Sequence, residues 1–264
     1  SNRIFLMAKS LNENSIESEV VCPFPNYPTG KLIGKYKGLY KKENIQGIMC
    51  HRLFIRPDNT KSPLKRAFSM LSFSLSLWIL LFKKDIKSFD KVIVQNSPLL
   101  VSFSAIMLFK IFLNKKIILN VSDLWPQSAI DLEVMRKDSF IHKTFKRIES
   151  FNYKKSDKII GQSQYILDHI SKFTVRPNFL YRNLPFNVVD KRNKISKYDK
   201  ISFVYAGLLG VAQGLLRLVK IIDKLNFDFE FHIYGDGKER KEIEDFLLDN
   251  NKIKYFGSIS KKEL

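Results

Sequence analysis

The chain has 264 residues, of which 45% are hydrophobic and 22 are phenylalanine, so it can bury the cores of about two domains of ordinary size. Its net charge of +19 suits an anionic partner, either nucleic acid or an anionic membrane surface. Two cysteines and four scattered histidines, without any zinc-motif spacing, argue against a disulfide framework and against the common zinc sites.

The first predicted elements lead into a proline-rich loop. Residues 2–12 are predicted as a short helix and residues 19–22 as a strand. The segment CPFPNYPTGK (22–31) has three prolines and a glycine, which favour an extended loop. Loops of this kind at strand ends often carry function, although a surface loop without a role is the commoner case.

A long apolar segment follows a second predicted strand at 48–55. Residues 67–82 carry no charge, but at 16 residues they are shorter than the roughly 20 that span a membrane. The segment is predicted either as a buried helix, which is the default, or as a helix lying partly in a membrane surface. The second alternative is favoured by the flanking basic residues Lys65, Arg66, Lys83 and Lys84.

The next segments alternate between strand and helix. Residues 92–95 and 117–121 are predicted as strands, with a helix at 98–113 between them. The second strand ends in SDLWPQS (122–128), and open parallel sheets place their sites at such carboxyl ends. Asp123 is therefore a candidate polar group of a cleft; the alternative is that it caps the following helix.

The first domain is predicted to close with a basic helix at 135–158 and a short strand at 158–161. Ser163 is then predicted to cap one more helix. We predict a first domain over 1–188, followed by a polar linker at 189–200.

The second domain, 201–264, opens with the clearest pattern in the chain. A β-rich run at 201–205 leads through Gly207 and Gly210 into a helix whose apolar residues share one face from 215 to 222. This geometry aims backbone N–H groups and the positive end of a helix dipole at one point, where a phosphate can bind. The alternative is an ordinary βα unit whose glycines only permit a tight turn.

The remaining residues predict a second βα unit and one more strand. A strand at 229–234 is followed by a Gly-Asp-Gly turn, a helix at 238–250 and a strand at 253–256. These elements amount to about half of a doubly wound domain.

Four segments, in this order, resemble the GT-B-fold retaining glycosyltransferases of family 4. The similarity is greatest to the fucosaminyltransferase-like branch that builds bacterial O-antigen and capsule oligosaccharides. The segments are FPNYPTGK (24–31), SDLWPQS (122–128), SDKIIGQSQYI (156–166), and YAGLLGVAQGL with YGDGKER (205–215 and 234–240).

The resemblance implies an α/β fold of the GT-B type, with two Rossmann-like domains and an interdomain cleft. The first domain would bind the acceptor, and the second would bind a nucleotide-sugar donor without a metal or another cofactor. Acceptors in this branch are polyprenyl-diphosphate-linked glycans, which implies a cytoplasmic protein that is peripheral on the inner face of the bacterial membrane. An anionic membrane surface is then a further expected partner.

The resemblance also assigns roles to individual residues. Asp123 matches the acidic residue of the cleft motif and is the candidate catalytic residue. Backbone N–H groups at the donor-phosphate turn would stabilise charge on the leaving diphosphate. The donor-side candidates are Gly207, Gly210, Gln213, Gly235 and Gly237. The acceptor-side or cleft candidates are Asn26, Tyr27, Ser122 and Trp125.

The sequence departs from the family pattern around the donor-phosphate turn. Leu208 and Gln213 stand where many relatives have Arg and Lys, and Val211 stands where the closer branch often has Lys. A neutral turn lacks charge-assisted hydrogen bonds, each of which is about twice as strong as a neutral one.

Both ends of the family pattern are also missing. Its first strand and glycine-rich loop would precede Ser1, and its acidic E-x7-E segment would follow Leu264, so the second domain is expected to be incomplete.

The leading hypothesis is a membrane-associated glycosyltransferase of cell-surface polysaccharide biosynthesis. Residues 1–190 carry 30 basic and 15 acidic side chains, a net +15 that fits a first domain facing the membrane. The alternative is a non-catalytic GT-B-like module that binds a glycan, a membrane surface or a protein partner. Nucleic acid is not an expected partner, because the sequence has no RNP, KH, zinc or helix-turn-helix signature.

Overall fold

The structure, a computed structural model, describes residues 2–26, 30–58, 63–182, 201–248 and 250–259. Contacts within the chain divide it into two units, Ser1–Phe186 and Asn187–Leu264. The predicted linker at 189–200 and the site candidate Tyr27 lie outside the described residues.

The first unit begins with a three-stranded sheet. Its elements are α1 (Asn2–Glu13), β1 (Val20–Pro23), β2 (Tyr40–Ile45) and β3 (Ile48–Leu53). The strand order is β1-β3-β2, with β1 parallel and β2 antiparallel to β3. Gln46 and Gly47 both have positive φ, which is the hairpin-turn geometry that matches strand twist. The sequence did not predict β2, because its lysines resemble a solvated surface.

The long apolar segment lies mostly outside the core. It forms α2 (Pro63–Ser76), a 3₁₀ turn (Leu77–Phe82) and the short α3 (Lys84–Ser88). Within the part of the chain that the structure describes, Lys65–Phe82 is the one helix long and apolar enough to cross a membrane by length and composition. Only 28% of it is buried, so the default expectation of a buried helix is wrong.

A four-stranded parallel sheet forms the rest of the first unit. Its strands follow one another in chain order, each joined to the next through one or more helices, as in βαβ folds. The elements are β4 (Lys91–Gln95), α4 (Leu99–Ile106) with a π-helical end (Met107–Phe112), β5 (Lys116–Val121), α5 (Gln127–Asp131), α6 (Phe140–Lys155), β6 (Lys158–Gly161), α7 (Gln164–Ser171) and β7 (Asn178–Leu180).

The basic helix α6 begins later than the sequence predicted. Asp138 has a positive φ, and the Ser139 hydroxyl accepts a hydrogen bond from the His142 N–H as the helix cap. The predicted start at 135 is therefore wrong, because periodicity marks a helical face but not the turn before it.

One hydrophobic core joins both sheets of the first unit. Leu53 of β3, Leu119 of β5, Ile159 of β6 and Leu80 of the 3₁₀ turn belong to it and are fully buried. Because β4, β5 and β6 run parallel, the loops after them meet at one edge of the sheet.

Both cysteines lie on neighbouring strands of the first sheet. Cys22 is on β1 and Cys50 on β3, and both are free thiols, as the sequence predicted. Burial raises the pKa of Cys22 to about 11, despite the opposing charge of Arg52. Burial raises the pKa of Cys50 as well. Both thiols are therefore protonated at neutral pH.

The second unit is a three-stranded parallel sheet with the order β10-β9-β8. Its core is built by alternate residues of β9, namely Phe229, Phe231 and Ile233, packed with Val219 and Ile243. The elements occur in the predicted order and are β8 (Ile201–Leu208), α8 (Leu215–Ile222), β9 (Phe229–Asp236), α9 (Arg240–Phe246) and β10 (Ile253–Gly257).

Asp157 ties the loop before β6 to neighbouring elements of the first unit. Lys110 Nζ lies 2.6 and 2.8 Å from its two carboxylate oxygens, and the Ile117 N–H donates to Oδ2 at 2.7 Å. Partial burial opposes ionisation, but the bonds from Lys110 and Ile117 outweigh it and hold the pKa of Asp157 below its ordinary value.

We expect Asp157→Asn to lower the free energy of unfolding at neutral pH. A carboxylate whose pKa is depressed by folding contributes stability above its unfolded-state pKa, about 4, and loses it as the pH falls through the folded-state pKa. The difference in the free energy of unfolding between the wild type and the variant should thus be constant above about pH 5 and shrink below about pH 4. Urea denaturation measures it, with the exposed Asp245→Asn as control. A difference that persists unchanged into acid would contradict the assignment.

Candidate functional site

Three side chains form a hydrogen-bonded row along the carboxyl edge of the parallel sheet in the first unit. The Arg3 guanidinium donates to Gln95 Oε1 at 2.6 Å, and Gln95 Nε2 donates to the Ser122 hydroxyl at 2.8 Å. Gln95 ends β4, whereas Ser122 directly follows β5. Gln95 therefore holds the hydroxyl of the predicted site residue Ser122, which is next to Asp123 in the chain.

The Asp123 carboxylate is exposed beside this row. The Ser128 hydroxyl contacts Asp123 Oδ2 at 3.4 Å, which is too long for a strong hydrogen bond. The sequence alternative of a helix cap is not supported, because α5 begins with Pro126 at its cap position and has no side-chain cap. The carboxylate is therefore available to a ligand.

Asp123 lines an open depression of about 230 Å³. The depression lies between the loop after β5 and the start of α7, so it joins the carboxyl ends of two adjacent strands. Its polar lining comes from Ser122, Asp123, Gln127, Ser128, Asp131, Ser163 and Tyr165. The sequence identified Ser163 only as a helix cap and did not identify Tyr165; their position directly after β6 is the signal that could have found them.

Two acceptor-side candidates make local contacts away from this depression. The Trp125 ring meets Phe145 of α6 edge to face, with the ring centres 6.3 Å apart. The Asn26 amide donates to the Phe24 carbonyl at 2.8 Å, and the Asn26 carbonyl accepts from the Gly30 N–H at 2.7 Å. Among the described residues, neither Trp125 nor Asn26 lines the depression that holds Asp123.

The glycines of the second unit divide into two groups. Gly207 lies within β8 and pairs with Gly235 of β9, so the predicted strand ends at 205 and 234 are both too early. At Gly235 φ is +142°, and a Cβ there would lie 1.8 Å from the Gly207 carbonyl oxygen. At Gly237 a Cβ would lie 2.2 Å from the Leu209 carbonyl oxygen. Gly235 and Gly237 thus let two backbone segments approach closely.

Gly210 and Gly214 shape the turn that leads into α8. Gly210 precedes a single 3₁₀ turn (Val211–Gln213), whose Gln213 N–H donates to the Gly210 carbonyl at 2.9 Å. Gly214 has φ +60° and is the residue before α8, a conformation that favours glycine. The Gln213 side chain is exposed. The first turn of α8 therefore follows directly after this turn, which is the chain order that the phosphate-site prediction requires.

A buried carboxylate from the second βα unit also reaches this helix start. Glu239 is 8% exposed, and its Oε2 lies 3.4 Å from the Leu216 N–H in the first turn of α8. The contact is long, so it satisfies that N–H only weakly. It places a negative charge next to the candidate phosphate site, and sequence spacing did not reveal it.

A separate cluster of ionisable groups lies away from both sites. Atoms of Glu19, His51 and Asp85 lie within 4.8 Å of one another and could hold a metal ion. Lys42 Nζ is 2.6 Å from Asp85 and 3.5 Å from Glu19, so an ammonium group already supplies positive charge there. The hydrogen bond to Lys42 lowers the pKa of Asp85. The Tyr40 hydroxyl lies 2.8 Å from His51 Nδ1 and adds a hydrogen bond to this cluster.

Comparisons with protein-family models and with curated protein sequences find no match. Among solved structures, sucrose-phosphate synthase from Thermosynechococcus elongatus is similar over 98% of this chain and 65% of its own, with 13% identity and a TM-score of 0.64. Anabaena HepE in complex with UDP is similar over 80% of this chain and 56% of its own, with 10% identity and a TM-score of 0.53. The chain thus spans less than two thirds of either protein. Both are GT-B glycosyltransferases, and the likeness shows that this chain has their α/β fold with Rossmann-like domains.

Proposed function

We propose that this protein transfers a sugar from a nucleotide-diphosphate sugar to an acceptor hydroxyl. The observation that carries the proposal is the β8–turn–α8 unit, in which a strand, a turn through Gly210 and Gly214, and a helix start come together within a GT-B fold. A solved structure with this fold holds UDP. On the resemblance described above, we further propose that the protein belongs to family 4 and that the configuration of the anomeric carbon is retained.

The reaction requires the protein to stabilise the leaving diphosphate and to accept the proton of the acceptor hydroxyl. The bond from the anomeric carbon to the diphosphate oxygen breaks, and the diphosphate leaves with the electron pair. The acceptor oxygen bonds to that carbon on the face that the diphosphate leaves, as retention requires, and releases a proton. N–H groups and the dipole of α8 would stabilise the charge that develops on the diphosphate. The exposed Asp123 carboxylate would accept the proton. No metal or other cofactor is proposed for either step.

We expect calorimetry to detect UDP binding and to show no binding of uridine, because the diphosphate is the group that the turn recognises. Glu239→Gln should tighten UDP binding, because it removes a negative charge beside the α8 start and keeps the side-chain shape. Glu242→Gln, an exposed change on the adjacent α9, is the matched control. Absence of heat at millimolar UDP for the wild type and for Glu239→Gln would refute the donor site.

We also propose a lipid-linked acceptor. The polyprenyl-diphosphate-linked glycans of lipopolysaccharide or capsule assembly fit the resemblance, and their use would place the protein peripherally on the cytoplasmic face of a bacterial membrane. The net +15 of residues 1–190 supports an anionic membrane surface as a partner. The partly exposed apolar helix α2 supports it independently.

A second candidate function is a non-catalytic binding module of the same fold. It is favoured by Glu239, whose carboxylate lies where a phosphate would bind, and by the neutral Leu208 and Val211 at the turn. A protein that binds lipid vesicles carrying the glycan but neither UDP nor UDP-sugars would fit this candidate instead.

A further inference from the structure

One side of α2 and its 3₁₀ continuation exposes large apolar side chains to solvent. Phe68, Leu71 and Leu75 are spaced by three and four residues, so they share one helical face, and they are 59%, 43% and 62% exposed. Phe82 at the end of the 3₁₀ turn is 84% exposed. We call these four residues the α2 apolar surface.

The opposite side of the same segment is fixed in the core. Phe73, Leu77 and Leu80 are buried in the main cluster of the first unit. The Ser104 hydroxyl of α4 donates to the Ser74 carbonyl at 2.6 Å, and the Trp78 indole N–H donates to Ser104 Oγ at 3.0 Å. The helix is therefore anchored along its length and cannot rotate to hide the α2 apolar surface.

A neighbouring element extends this apolar region. Phe112, at the π-helical end of α4, is 60% exposed, and its ring meets Trp78 edge to face, with the ring centres 4.9 Å apart. Ile111 beside it is 47% exposed. Exposed apolar side chains on adjacent elements, edged by polar residues, are typical of an interaction surface in soluble proteins.

Basic residues stand at both ends of the segment, and no acidic residue lies between them. Residues 59–84 contain no Asp or Glu, whereas Lys65 and Arg66 begin the segment and Lys83 and Lys84 end it. Lys83 Nζ lies 4.1 Å from the centre of the Tyr40 ring, so its position is held by that contact. Apolar residues flanked by cations match the interface of an anionic bilayer, where acyl chains lie under anionic headgroups.

We propose that the α2 apolar surface docks on an anionic membrane, with α2 lying in the plane of the bilayer interface. The helix does not span the membrane, because its buried side is part of the protein core. The proposal deepens the membrane association put forward under the proposed function and rests on it, but it does not depend on donor binding.

Vesicle flotation tests the proposal. Wild-type protein should float with phosphatidylcholine vesicles that contain phosphatidylglycerol. The triple variant Phe68→Ser, Leu75→Ser, Phe82→Ser should partition at least tenfold less, because it removes three large apolar side chains that would be buried in the bilayer interface. The control triple variant Val175→Ser, Ile221→Ser, Leu248→Ser removes apolar side chains that are 102%, 54% and 80% exposed elsewhere, and it should float like the wild type.

A charge variant distinguishes docking on an anionic membrane from binding to another kind of partner. Lys65→Gln with Lys84→Gln should weaken flotation on phosphatidylglycerol vesicles at low salt and have no effect on neutral vesicles. Failure of the wild type to float, or equal flotation of wild type and serine variant, would overturn the proposal. So would a wild-type dimer that the serine variant converts to monomer in sedimentation, because a second copy would then cover the surface. The serine triple variant should bind UDP with the affinity of the wild type in calorimetry. Its loss of flotation would then come from lost membrane contact and not from a change at the donor site.

Discussion

Gly235→Ala is expected to unfold the second unit. The new Cβ would lie 1.8 Å from the Gly207 carbonyl oxygen, which belongs to the backbone of the paired strand and cannot move aside as a side chain does. The strand pair must separate at this point, and the φ of +142° is itself strained for any residue with a side chain. The loss should exceed about 4 kcal/mol, the range of exceptional single substitutions.

A matched control isolates the steric part of this effect. Gly257 also has a positive φ, +78°, but a Cβ there would meet no atom within 4 Å. Gly257→Ala should therefore cost only the backbone strain, about 1–2 kcal/mol. Hydrogen exchange of the β8 and β9 amides, together with urea denaturation, measures both variants. Equal losses for the two variants would show that the close approach at Gly235 is not what holds the strands in register.

Asp123→Asn is expected to reduce sugar transfer by about 10²–10⁴-fold, which is the usual contribution of a general base. The amide keeps the size of the carboxylate but cannot take up the proton of the acceptor hydroxyl. Because Asp123 is exposed and weakly bonded, the substitution should leave the free energy of unfolding unchanged. The measurement is release of UDP from whichever UDP-sugar binds in calorimetry, with a polyprenyl-diphosphate-linked saccharide as acceptor.

Two comparisons make the Asp123 result specific. Asp168→Asn changes another exposed carboxylate, which accepts from Gln164 on α7, and transfer should continue at the wild-type rate. UDP binding by Asp123→Asn should also match the wild type, because the loss concerns the acceptor proton. Full transfer activity of Asp123→Asn would remove this carboxylate from the mechanism and leave the donor-site proposal intact.

The parallel strands were predictable because their sequences are short apolar runs with turn residues at both ends. β5 and β9 illustrate this: buried residues alternate at 117, 119 and 121 in β5 and at 229, 231 and 233 in β9. The start of α6 was missed because it is marked by the cap residue Ser139, whereas periodicity shows only which residues share a helical face. The exposure of α2 was also hidden, because a helix packed on one side has the same apolar composition as one that is buried all round.

The candidate site was predictable only where position in the sheet determines it. Asp123 and Ser122 follow β5, and the carboxyl end of a parallel strand is where a site is expected. The contributions of Gln95, Tyr165 and Glu239 depend on which strands and helices become neighbours, and a single sequence does not state that. The donor-binding role of Gly235 and Gly237 stays a prediction, and the close approach of the Gly207 and Leu209 carbonyl oxygens is a steric reason for glycine at both positions.

The protonated state of the two native cysteines has a practical consequence. Thiolates, not thiols, react with maleimides and iodoacetamides. With the pKa of Cys22 near 11 and that of Cys50 raised by burial, neither side chain competes for such reagents at neutral pH. A single cysteine introduced on the exposed side of α2, such as Leu75→Cys, can thus be labelled with an environment-sensitive fluorophore in the otherwise native sequence. The emission of that fluorophore would then report how deeply this one helix enters a bilayer.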